Sequence, residues 1–178
     1  GTTVVMSLPD LVEVSVSNPP SGPLGQGSSF AVTDTVQNQG NVTAGASTTR
    51  YYLSEDNAKG GGDIPLTGSR PVPPLSVGAT STGKAMVTIP KGVGAGKYYL
   101  LACADDMGLV PKTDETNNCI ASGTTVLVSL PDLVELFVSN PPQGPLMPGN
   151  SFAVTDTVKN QGNVAAIAST TRYYLSED

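Results

Sequence analysis

The sequence contains no histidine and no tryptophan, and its only cysteines are Cys103 and Cys119. Without histidine, Ser-His and Cys-His nucleophile systems are excluded within these 178 residues. Two cysteines without histidine also cannot supply the four ligands of a structural zinc site. Charge is scarce at 13% of residues and unbalanced, with 9 Lys and Arg against 15 Asp and Glu. A nucleic-acid partner needs clustered cations, so none is expected. No apolar run approaches the ~18–20 residues of a membrane-spanning helix. No secretion leader is visible, although a piece of a longer or processed chain would lack one in any case. Adjacent carboxylates such as Asp105–Asp106 and Asp114–Glu115 read as solvated loop groups rather than an acid–base pair. Neither enzymatic activity nor a cofactor is therefore expected.

What is present is apolar, turn-rich and repeated. Hydrophobic residues make up 38% of the chain, enough for a core and too many for disorder. The 20 Gly and 15 Pro are scattered, which suits many short turns. Residues 1–56 align without gaps on residues 123–178 and differ at 11 of 56 positions. One period spans 122 residues, a whole domain rather than a solenoid unit of roughly 20–50 residues. The expected organisation has three parts: residues 1–7 as the closing strand of a preceding repeat, 8–128 as a complete domain, and 129–178 as the first half of another. The chain thus reads as a window on a longer string of similar domains.

Within a period the pattern is strand after strand. "DLVEVSVS" (10–17) places Val12, Val14 and Val16 on one face, and "SFAVTDTV" (29–36) does the same for Phe30, Val32 and Val36. "TTRYYLS" (48–54), "KAMVTIP" (84–90), "KYYLLACA" (97–104) and "CIASGTTVLVS" (119–129) are rich in β-branched and aromatic residues. "NPPSGP", "NQGN", "KGGGD", "RPVPP" and "PKGVGAG" supply the turns. About seven strands with two-residue periodicity predict an all-β fold, an immunoglobulin-like antiparallel sandwich followed by an incomplete second copy.

The blocks "PDLVEVSVSNPP", "SFAVTDTVQNQGN", "STTRYYLSED", "GKYYLLACAD" and "DETNNC" together resemble the bacterial CARDB (cell-adhesion-related) domain over about residues 8–125. The first half of the match recurs in 130–178. The resemblance implies an immunoglobulin-like sandwich in a large secreted or surface protein, often in tandem arrays, with no catalytic motif to transfer. In that setting Cys103 and Cys119 are expected to form a disulfide across adjacent strands; the alternative is a pair of buried free thiols.

Three further features have two readings each. Asp56, Asp63, Asp105, Asp106, Asp114 and Glu115 (with Glu55 beside them) are calcium candidates, against an ordinary turn role for Asp and Asn. Asp34 shares a strand face with core residues, so it is expected to pair with Arg50, and Asp156 with Arg172 in the second copy; otherwise a bulge leaves it wet. Phe137, Met147 and Ile167 replace Ser15, Gly25 and Gly45, which marks them either as interface candidates or as drift. The sequon at Asn41 is absent at Asn163 and reads as accidental.

The expected function is a non-catalytic extracellular or cell-surface repeat, structural or adhesive. Such a unit could assemble head to tail into a filament by strand or domain complementation. Its partners would be other copies of the repeat or chain, or a cell-surface or extracellular-matrix component. The alternative is a carbohydrate- or calcium-binding accessory module of a secreted enzyme.

Overall fold

The computed structural model describes residues 7–177. The expected closing strand of a preceding repeat, in 1–7, lies almost wholly outside the described residues. The strands are β1 (Leu11–Val16), β2 (Pro23–Leu24), β3 (Ser29–Asn38), β4 (Ser47–Ser54), β5 (Ile64–Val72), β6 (Thr80–Thr88), β7 (Gly96–Cys103), β8 (Cys119–Val128), β9 (Leu133–Val138) and β10 (Asp156–Asn160). No helix occurs among the described residues.

The first eight strands form one curled sheet in the order β1-β3-β6-β5-β4-β7-β8-β2. It folds over on itself at β5, whose only pairing with β6 is Thr67 opposite Thr88. Two layers result, β1-β3-β6 facing β5-β4-β7-β8-β2. The fold-over requires close backbone approach at Gly68, which has φ +119°, and where a Cβ would lie 2.3 Å from the Met86 carbonyl oxygen. Only glycine tolerates that combination. The short β2 pairs in parallel with the end of β8 and brings Leu24 against the core.

Alternation along the strands builds the interior. Phe30, Val32, Tyr51, Leu53, Val87, Leu100 and Val126 form the main core between the layers. Leu11, Val36, Val72, Leu75 and Val110 close one end. The expected Val12–Val14–Val16 face is corrected: Leu11, Val12 and Glu13 are buried, while Val14 is exposed. The cause is a β-bulge, since pairing with β3 slips between Glu13 and Ser15.

β9 and β10 form a separate two-stranded sheet. Their register repeats that of β1 and β3 residue for residue, from Leu133 opposite Asn160 to Asp156 opposite Val138, with the bulge in the same place. The "STTRYYLS" segment is strand β4 in the first copy, but 169–176 forms no strand in the second. The sequences are identical; what differs is that β4 has β5 and β7 beside it. Strands without partners do not hold their extended form alone.

Candidate functional site

A polar cluster sits between the two layers. Asp34, on β3, is fully buried. The guanidinium of Arg70, on β5, grips it: Nε donates to both carboxylate oxygens at 2.9 Å, and one terminal nitrogen also bonds Oδ2. The Tyr51 hydroxyl donates to Asp34 Oδ1 at 2.6 Å. Ser81 accepts from the guanidinium at both its hydroxyl and its carbonyl, each at 3.2 Å. Room for the arginine comes from Gly83, the residue paired with Asp34, where a Cβ would lie 2.7 Å from Arg70 Cδ.

The expected partner of Asp34 is therefore corrected from Arg50 to Arg70. Strands β3 and β4 do lie in opposite layers, but Thr49, Tyr51 and Leu53 are the inward residues of β4. Arg50 points outward, where it reaches Met107 Sδ at 3.3 Å. Burial opposes the Arg70 charge, but its bonds to Asp34 outweigh that and raise its pKa. Burial, then the bond to Asp34, hold the Tyr51 hydroxyl well above the ordinary phenol range.

Glu13 reaches the same cluster from β1. Thr49 Oγ1 donates to its Oε1 at 2.8 Å, while Oε2 is buried with no partner among the described residues. Desolvation first, and then the adjacent Asp34 charge, push its pKa up to about 8. Burial thus favours the protonated acid at Glu13 over a second buried carboxylate beside Asp34.

The second feature is the loop between β7 and β8. Cys103 and Cys119 face each other across these strands and are joined by a disulfide. It lies on the outer side of its layer, packed with Tyr52 and Leu101, rather than bridging the two layers. Asp105, at φ 48°, organises the loop it closes. Its carboxylate accepts from the Leu109 and Val110 amides and from Lys112 Nζ, the last at 3.0 Å. Lys112 also meets Glu115 at 2.6 Å. Thr113 and Asn117 tie the loop to Pro9 and Asp10 at the entry to β1.

The calcium candidates are spread among separate hydrogen bonds. Asp56 accepts from the Ala58 amide, Asp63 from Gly60, and Asp114 from Thr116. Asp106 accepts from the Tyr52 hydroxyl, which burial, and then this bond, push up to about 12. Asp105 and Glu115 share the Lys112 ammonium, which takes the place a cation would fill. The hydrogen bond from Lys112 holds Glu115 below the usual carboxylate range. Among the described residues no group of three or more such side chains is arranged to hold a metal.

The third feature is the bare face of the second copy. Leu133, Phe152, Val158, Tyr173 and Leu175 are exposed, although their counterparts Leu11, Phe30, Val36, Tyr51 and Leu53 are buried. Of the interface candidates, Phe137 lies on β9, Met147 in a turn and Ile167 in an irregular segment, at 55%, 75% and 84% exposure. Asp156 accepts from the Tyr173 hydroxyl, as Asp34 does from Tyr51, and no ion pair joins it to Arg172 among the described residues.

Sequence reasoning missed Arg70 because "RPVPP" read as a turn. The signal was Leu66, Gly68, Arg70 and Val72 at two-residue spacing through a stretch interrupted by proline and glycine.

No curated protein matches this chain. Among solved structures, the CARDB domain of the PF1109 protein from Pyrococcus furiosus, described as in complex with di-metal ions, is 19% identical. It covers 70% of this chain and 97% of that one, with a TM-score of 0.45. Residues 272–376 of a candidate cell-surface protein from Methanosarcina acetivorans are 21% identical, covering 68% and 92%, with a TM-score of 0.47. A β-glucosidase from Listeria innocua is 19% identical over 68% of this chain but only 16% of its own, with a TM-score of 0.37. No helix among the described residues is long and apolar enough to cross a membrane. The CARDB family pattern matches residues 8–122, the stretch that holds the polar cluster, the disulfide and its loop, and the chain belongs to the CARDB family.

Proposed function

We propose that this chain is a non-catalytic structural or adhesive module of an extracellular or cell-surface protein, working in series with other copies of the same repeat. The observation that carries the reading is the duplication itself. Nine of the eleven differences between the copies fall on described residues, and none of those positions is buried in the first copy. Among the described residues of the first copy, every buried residue is kept while the outside varies, as suits a scaffold whose fold must recur and whose surface is free to change. CARDB is a non-catalytic, cell-surface-associated family, which agrees with this. The disulfide supports an oxidising compartment.

The accessory-module reading has less support. Carbohydrate platforms use exposed aromatic rings, but in the first copy Tyr51, Tyr52 and Tyr98 are buried and Tyr99 is half-buried, and the exposed Tyr173 and Tyr174 are the counterparts of buried Tyr51 and Tyr52. The test is labelling of intact cells that make the protein with a membrane-impermeant amine reagent. Labelling before lysis is expected; labelling only after lysis contradicts the proposal.

A further inference from the structure

The joint between the two copies is short and tied on both sides. Only residues 129–132 separate β8 from β9. On the near side the Ser129 amide donates to the Leu24 carbonyl at 2.9 Å, which holds the linker to β2 of the first copy. On the far side Asn160 gathers a turn of the second copy onto the same linker. Its Oδ1 accepts from the Asp132 amide at 3.1 Å and from the Gly162 amide, and its Nδ2 donates to the Val164 carbonyl at 2.8 Å. The turn lies so close to the linker that a Cβ on Gly162 would sit 2.6 Å from the Asp132 nitrogen. Between the ties stand Leu130 and Pro131; the proline ring fixes its own φ and confines the residue before it. The turn is therefore carried to one place, where Val164 meets Gly25 of the first copy. A Cβ on Gly25 would lie 3.5 Å from Val164 Cβ. The receiving turn is itself anchored, because the Gly27 amide donates to the Ile89 carbonyl and the Gln26 side chain to that of Val93, both at 2.8 Å.

We propose that residues 24–28 are a seat for the repeat that follows, and that Val164 on Gly25, with the linker tied at Ser129 and Asp132, fixes the angle between the two copies. The partner is the Asn160-centred turn of the next copy in the same chain. This deepens the module reading and rests on it, since structural repeats in series transmit force in a set direction only where their joints resist bending. The seat takes only a small residue. At 3.5 Å an alanine methyl would make an ordinary contact, whereas a longer side chain would occupy the space that Val164 fills. The second copy carries Met147 at this position, and its turn keeps the same form. Met147 and Asn150 exchange the hydrogen bonds of Gly25 and Ser28, and Gly149 has φ 92° where Gly27 has φ 81°. Methionine is thus compatible with the turn and incompatible with the contact. The glycine of the first copy serves the joint.

The experiment pairs Gly25→Cys with Val164→Cys in the full chain, made in an oxidising compartment, and maps disulfides by mass spectrometry of unreduced peptides. A Cβ separation of 3.5 Å falls within the ~3.5–4.5 Å of a disulfide, so a bridge between positions 25 and 164 is expected in most molecules, beside Cys103–Cys119. Pairing Gly25→Cys with Ala165→Cys instead should give almost none. Absence of the 25–164 bridge overturns the proposal, and so does equal bridging from position 165, which marks a loose joint. A second measurement needs no added cysteine. In the unaltered chain, nuclear Overhauser contacts should join the Val164 methyls to the Gly25 α-protons, and residual dipolar couplings of residues 11–128 and 129–138 should fit one alignment frame. Gly25→Met should lose the contacts and split the frame, while Gly25→Ala should keep both. Separate frames in the unaltered chain, or a single frame in Gly25→Met, overturn the proposal. Either failure leaves the cell-surface labelling result, and hence the module reading, untouched.

Discussion

Replacing Glu13 with glutamine should make the protein more stable at pH 8 and remove most of its pH dependence between pH 5 and pH 8. The folded-state pKa of Glu13 is raised from 4.5 to about 8, mainly by burial and then by the Asp34 charge. Between those values the folded state holds a proton that the unfolded state has released. Stability is then fully present below pH 4.5 and is lost as pH rises toward 8. At about 1.4 kcal/mol per decade of proton affinity, the change from pH 5 to pH 7 is roughly 3 kcal/mol, and the full effect roughly 5 kcal/mol. Glutamine keeps an acceptor for the Thr49 hydroxyl and adds a permanent donor beside Asp34, so it copies the protonated acid without its titration. The assay is urea unfolding at pH 5, 6, 7 and 8, followed by far-ultraviolet circular dichroism because the chain lacks tryptophan. Wild-type stability that rises through this range would refute the reasoning. So would an equal pH slope in Glu13→Gln.

Arg70→Met should destabilise by about 3–5 kcal/mol because it strands the buried Asp34 charge, whereas Arg50→Met should stay within about 0.5 kcal/mol; urea unfolding separates the two. Gly83→Ala should cost about 1–3 kcal/mol, since its methyl collides with an arginine side chain held at both ends, and the melting temperature should fall accordingly. Reducing the Cys103–Cys119 disulfide should cost about 3 kcal/mol in the loop-closure account, measured as a drop in urea midpoint, and should speed exchange across residues 104–118.

How far the sequence could be read depended on whether a feature was local. Richness in β-branched and aromatic residues marked β4, β6, β7 and β8, and alternation marked β3, with Phe30, Val32 and Val36 on its apolar face. Asp34 stood out as a buried acid for the same reason. Its partner did not, because β5 contains Pro65, Gly68 and Pro71, residues that usually break strands. Here they serve a strand that leaves one layer for the other. Arg50 looked right by layer and was wrong by parity, a one-residue difference that turns a side chain to the opposite face. The bulge at Glu13 had the same effect, bringing a second acid into the cluster that alternation had placed outside. The pairing of β2 with β8 spans about a hundred residues and has no local signature.

The central claim is that near-identical sequence is structured in one copy and uncovered in the other because a second half-sandwich covers only the first. Amide exchange on the unmodified 178-residue chain tests this most directly, comparing Ser29–Asn38 and Ser47–Ser54 with 151–160 and 169–176. Slow exchange in the first pair and fast exchange in the second is the predicted result. Equal protection in both copies of a monomeric chain would contradict the claim.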